Sequence, residues 1–78
     1  MGNSYSKQDQ IFLKEVGQKI RAARQTAELS QESFAKVCNL DRTYISDVER
    51  GERNISLLNL SKIAKALKFP IEQLVSQE

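Results

Sequence analysis

"QESFAKVCNLDRTYISDVERGER", Gln31 to Arg53, reads as two short helices set against each other across the corner "CNL". Each half is shorter than the roughly 12–15 residues an isolated helix needs in water. Packing must therefore hold both. Phe34 and Ala35 face inward in the first half and Ile45 and Val48 in the second, at spacings that gather apolar side chains on one helix face. Ser30 stands where an N-cap belongs, its hydroxyl placed to accept from a first-turn amide. Asn39 suits the left-handed residue that ends a helix. Asp41 is the next N-cap, its carboxylate expected to accept from first-turn amides and to suit the positive end of the helix dipole. Gly51 closes the second half.

Outward from this unit, the same periodicity predicts a first helix over Lys7–Ala27 with Phe12, Val16, Ile20, Ala23 and Ala27 on its inner face. Ser56 caps a fourth helix with an apolar stripe of Leu57, Leu60, Ile63, Ala64 and Leu67. Pro70 suits the first turn of a short last helix holding Ile71, Leu74 and Val75. No alternating run of β-branched residues suggests a sheet, so the expected fold class is all-α with five helices and tight corners. The expected organisation is a single domain over 1–78, with residues 1–6 flexible and residues 31–50 forming the two-helix unit.

Seventy-eight residues leave room for one small core. With 40% apolar and 28% charged residues the chain is expected to fold. No apolar run approaches the roughly 20 residues of a bilayer span, and "MGNSYSKQDQ" lacks the apolar stretch of a signal peptide, so a cytoplasmic location without membrane contact is expected. One cysteine allows neither an internal disulfide nor a zinc cluster, and Cys38 reads as a small buried apolar residue, with a reactive thiol as the alternative. Histidine is absent, which removes the commonest general base and metal ligand. No catalytic residue, metal, cofactor or small-molecule ligand is expected.

The second of the two short helices carries the functional reading. At about 100° per residue, Thr43, Ser46, Asp47 and Arg50 point away from Ile45 and Val48, and Arg42 sits at the exposed N-terminal edge. Short hydrogen-bonding side chains with arginines at both ends can reach base edges in a major groove wide enough for one helix. A merely solvated polar face is the alternative. Net charge gives little help: the whole chain carries +2, and residues 31–56 hold four basic against five acidic side chains. That local acidity is an objection to nucleic acid that the structure must answer.

The corner resembles the helix-turn-helix of the Cro and phage-repressor family, which wants a small residue at Ala35, a left-handed one at Asn39, and apolar ones at Phe34, Cys38, Leu40, Ile45 and Val48. "IRAARQTAELSQESFA" resembles the family's first two helices and "ERG" the end of its third. Within the family, "NLDRTYISDVERGERNIS" followed by "NLSKIAKAL" is most similar to controller proteins of type II restriction-modification systems. The resemblance implies a lambda-repressor-like fold in which Arg42 and Thr43 read base edges. Tyr44, Ser46 and Asn54 would contact backbone or bases, and Arg53 would read from the following loop. Asp47 departs from the pattern: a carboxylate near the groove repels phosphate, yet it could accept from cytosine. Glu49 resembles the family's buried acid, paired with Arg24 as scaffold. Gln31 resembles a phosphate clamp at a helix N-terminus, with a simple capping role as the alternative. Lys36, with Lys19, Arg21 and Lys62, adds to the general positive field.

So small a reader needs a second copy on the next turn of the groove, and Leu58, Phe69 and Val75 are left over for a homodimer interface, the region through which relatives dimerise. Core packing is the competing use of each. The implied function is a sequence-specific transcriptional regulator, a homodimeric controller of a restriction-modification operon acting on palindromic operator DNA, with RNA polymerase as a further candidate partner. A phage-type repressor or antitoxin with the same domain is the alternative, and a helical protein-interaction module a third reading.

Overall fold

The computed structural model describes residues 5–77 and forms, among them, five α-helices and no strand. They are α1 (Lys7–Thr26), α2 (Gln31–Cys38), α3 (Arg42–Glu49), α4 (Leu57–Leu67) and α5 (Ile71–Val75). Serine hydroxyls open three of them: Ser6 accepts from the Asp9 amide, Ser30 from Ser33 and Ser56 from Asn59. At α1 the Asp9 carboxylate also accepts from the Ser6 amide, completing a capping box. The Gln10 side chain donates to the Tyr5 carbonyl. Tyr5 and Ser6, expected to be flexible, are thus tied to α1, while positions 1–4 of that segment lie outside the described residues. Asp41 departs from expectation in another way. Its backbone takes the extended cap conformation and its carbonyl accepts from Ile45, but its carboxylate caps nothing. An exposed carboxylate is well solvated, so here the backbone alone starts the helix.

Left-handed residues close four helices, Gly51 after α3 among them. Asn39 does so after α2, as its side chain allows, with φ 59°. Glu28, just beyond α1, and Lys68 after α4 take the same conformation with φ 62° and 55°. Neither was legible, because a long side chain at positive φ carries a penalty of about 1–2 kcal/mol that sequence reading assigns to glycine or asparagine positions. The Glu28 and Leu29 amides donate back to the carbonyls of Gln25 and Arg24, satisfying the end of α1. This stops the helix at Thr26, so Ala27, expected inward, is an exposed cap and Leu29 turns toward the core in its place.

All five helices contribute to one apolar cluster. Val16 and Ile20 meet Phe34, Ala35 and Cys38, with Ile45 and Val48 of α3, Leu60, Ile63 and Ala64 of α4, and Leu74 of α5. Full burial of a side chain such as Phe34 or Ile45 contributes about 1.5–3 kcal/mol, and this is what holds two eight-residue helices that would melt alone. Leu57 also departs from expectation. It was expected in the α4 stripe and is 77% exposed, because it occupies the first turn, one turn short of Leu60, where no neighbouring helix reaches it. Burial pushes the Cys38 thiol up to about 11, leaving it protonated and inert near neutral pH.

α1 crosses α3 closely enough that a Cβ added at Gly17 would run into the carbonyl oxygens of Val48 and Glu49. Gly51, with φ +76°, lies as near to the backbone of Lys14, where a Cβ would meet its Cα at 2.7 Å. Two glycines therefore let the last turn of α3 rest directly on α1.

Candidate nucleic-acid interface

The inner side of α3 is anchored by charge. Arg24 donates from Nε to Glu49 Oε2 at 2.7 Å and from Nη2 to Oε1 at 3.0 Å, with side-chain exposures of 10% and 3%. Its Nη1 donates to the Leu29 carbonyl at 2.8 Å, and Gln31 Nε2 donates to Glu49 Oε1 at 3.0 Å. A buried carboxylate with three donors and a guanidinium with three acceptors are both satisfied. The cluster joins α1, the turn after it, α2 and α3 at one point. Among the described residues no buried side-chain nitrogen or oxygen lacks a partner. Sequence reading had no signal for the Leu29 or Gln31 bonds.

On the opposite side of α3, Arg42 and Thr43 are exposed in its first turn and have no side-chain partner among the described residues. Toward the other end the polar groups bind one another. Arg50 Nη2 lies 2.7 Å from Asp47 Oδ1, its Nη1 donates to Ser46 Oγ at 2.6 Å, and its Nε donates to Glu52 Oε1 at 3.2 Å. Arg53 Nε lies 3.7 Å from Asp47 Oδ2, and its guanidinium stands 4.8 Å above the Tyr44 ring. The Glu52 hydrogen bond, helped by the charges of Glu52 and Asp47, raises the Arg50 pKa further. Spacing could have flagged Asp47 with Arg50, since positions three apart meet on a helix. The stacked Arg53 needed the path of the loop.

The objection from local acidity is met in part. Of the five acids between residues 31 and 56, Glu49 is buried against Arg24, Asp47 pairs with Arg50 and Arg53, and Glu52 pairs with Arg50, while Glu32 and Asp41 are exposed. Arg42 keeps its charge open to solvent.

Around α3, Gln31 occupies the first position of α2, where helix-start amides face outward; one hydrogen of its side-chain amide is taken by Glu49 and the second is uncommitted. Lys36 and Asn54 are exposed. A shallow groove of about 350 Å³ lined by Lys14, Gln18, Arg21, Glu49, Arg50 and Glu52 carries the polar face across to α1. Lys19, assigned to the general field, also donates to the Ser76 carbonyl and ties α1 to the end of the described chain. Of the residues assigned to a dimer contact, Leu58 is 77% exposed, whereas Phe69 and Val75 are half-buried against the core. Among the described residues no group of acids and Cys38 is arranged to hold a metal, and no helix is long and apolar enough to cross a membrane.

Comparison with known proteins agrees with this geometry. The family described as Helix-turn-helix matches residues 20–74. Control protein C.MunI of Mycoplasma sp is 48% identical over 61 residues, covering 77% of this chain and 82% of the relative. Control protein C.BamHI of Bacillus amyloliquefaciens is 58% identical over 52 residues, covering 65% of this chain and 64% of the relative, so the match spans slightly under two thirds of that protein. The crystal structure of the restriction-modification controller protein C.AhdI from Aeromonas hydrophila superposes with a TM-score of 0.77 at 45% identity, over 80% of this chain and 94% of that one. The chain belongs to the helix-turn-helix family of DNA-binding transcriptional regulators, where its similarity is to restriction-modification control proteins.

Proposed function

We propose that the protein is a homodimeric controller of a restriction-modification operon, acting in the cytoplasm and binding a palindromic operator through α3 in the major groove. The observation that carries this reading is the pair Arg42 and Thr43, exposed without protein partners in the first turn of a helix that a buried ion pair holds from behind. In groove docking by this motif the N-terminal residues of the second helix meet base edges. The Arg42 fork matches the two acceptors of guanine, and Thr43 can donate or set its methyl against thymine. Arg50, Arg53 and Ser46 extend the reading surface. Gln31, Tyr44, Asn54 and Lys36 act on phosphate and so set register. A second copy, joined through Leu58, Phe69 and Val75, doubles the sequence read and covers the apolar side chains that the start of α4 leaves in solvent. RNA polymerase is a candidate partner of the DNA-bound dimer, and no enzymatic role is assigned.

The test begins with selection of bound duplexes from a random pool, followed by binding to the selected site and to random DNA. Arg42→Ala should weaken operator binding by about 1–3 kcal/mol and random binding much less. Gln31→Ala should weaken both alike, as fits a contact that reads no base. Affinity should fall steeply between low and physiological salt as phosphate contacts release counterions. Selection that returns no common site, or a flat salt response, rejects the reading.

A further inference from the structure

Asp47 is the residue that the DNA-reading assignment absorbs least well. A free carboxylate on a face turned toward phosphate should repel it, and as a base reader it needs at least one oxygen available. Both oxygens face arginines. Oδ1 accepts from Arg50 at 2.7 Å, and Oδ2 faces Arg53 at 3.7 Å. Asp47 is the better covered partner, with its side chain 23% exposed against 55% for Arg50 and 48% for Arg53. The other contacts of the two arginines run the same way: Ser46 and Glu52 take the remaining sides of Arg50, and the Tyr44 ring lies under Arg53. Two of the three exposed arginines between residues 31 and 56 are thus folded back onto the protein, and Arg42 alone points out.

We infer that Asp47 is a positioning residue for specificity, whose carboxylate holds Arg50 by a hydrogen bond and Arg53 by charge against α3, so that random phosphate cannot recruit them without giving up those contacts. This inference rests on the DNA-binding reading and deepens it. Exposed guanidinium–carboxylate pairs are weak enough in water to be exchanged when a better acceptor arrives. Guanine edges in a matching site offer two acceptors in a fixed geometry, whereas phosphate on random DNA offers charge alone. The loss of the Asp47 contacts is therefore repaid at the operator and left uncompensated elsewhere. Specificity arises here from a penalty on the wrong partner as well as from contacts with the right one.

Asp47→Asn tests this, because it keeps size and loses charge. Random-DNA affinity should rise about three- to tenfold, with a salt dependence steeper by roughly 1–2 in log–log slope as the freed arginines engage phosphate. The ratio of operator to random affinity should narrow, and Asp47→Glu should restore part of it. In the DNA-free protein, exchange of the Arg50 Nη2 protons, which Asp47 accepts from, should quicken in the Asn variant, while thermal unfolding stays close to wild type. A loss of operator affinity with random affinity unchanged would mean that Asp47 reads a base, and overturns the inference while leaving the DNA-binding reading intact. Weaker binding to both, with a lower unfolding temperature, would make Asp47 merely structural and also overturns it. Unchanged Nη2 exchange removes its basis without any DNA. A wild-type protein that binds no DNA overturns the parent reading and this one together.

Discussion

Two carboxylates two positions apart on α3 make opposite uses of the same chemistry. Glu49 faces inward and meets Arg24 through two bonds in a setting from which solvent is nearly excluded; Asp47 faces outward and meets Arg50 and Arg53 at the edge of water. Behind the helix the guanidinium cannot leave, since both charges would be stranded in low dielectric. In front, either partner can turn to water or to a ligand at small cost. One pair fixes where α3 stands, and the other regulates what α3 presents. Distance alone does not separate them, because the shortest contact in each is 2.7 Å. Burial does.

The largest effect that could break this contrast is on Glu49. Glu49→Ala leaves Arg24 and the Gln31 amide without their shared acceptor and should cost about 3–5 kcal/mol. Small domains hold only about 5–15 kcal/mol in all, so urea denaturation should find the variant close to unfolding. If Glu49→Ala were as stable as Asp47→Ala, burial would not be what distinguishes the two pairs.

A smaller effect tests how the buried pair is seated. Gly17→Ala places a methyl against the Val48 and Glu49 carbonyls at the crossing of α1 and α3. Alanine is favoured over glycine within a helix by about 1 kcal/mol, yet backbone on backbone cannot yield as a flexible side chain can, and overpacking costs about 1–3 kcal/mol. The clash should win. A net loss of up to about 2 kcal/mol by chemical denaturation is expected, and a gain in stability would show that α3 can shift away from α1 without harm.

The two faces of α3 also differ in how far the sequence discloses them. Apolar spacing located the five helices, and the caps at Ser30, Ser56 and Asn39 were readable because those side chains have few other local uses. The outward set from Arg42 to Arg50 followed from helical geometry. What escaped depends on how separate segments come together. Gly17 looked like an ordinary small helical residue until α3 lay across it, and Leu29 could not be preferred to Ala27 before Glu28 took a positive φ. Leu57 fits the α4 stripe in projection, but projection does not record where neighbouring helices stop. Asp47 looked like an anomaly because a carboxylate near the groove repels phosphate, whereas the arginines that pair with it come from the next turn and from the loop beyond.

The smallest effect sharpens the contrast most. Asp47→Asn should change folding stability by no more than about 0.5 kcal/mol, since exposed ion pairs contribute only about 0–1 kcal/mol and the asparagine amide can still hydrogen-bond its neighbours. For a chain of this size that corresponds to a shift of about 2–4 °C or less in unfolding temperature, within reach of calorimetry. The same variant is expected to change discrimination between operator and random DNA severalfold. A residue that moves binding so much and stability so little belongs to the presentation of α3, as Glu49 belongs to its support. An unfolding temperature lowered by about 10 °C or more would place Asp47 with Glu49 among the residues that hold the fold, and the two faces of the helix would then have to be read as one.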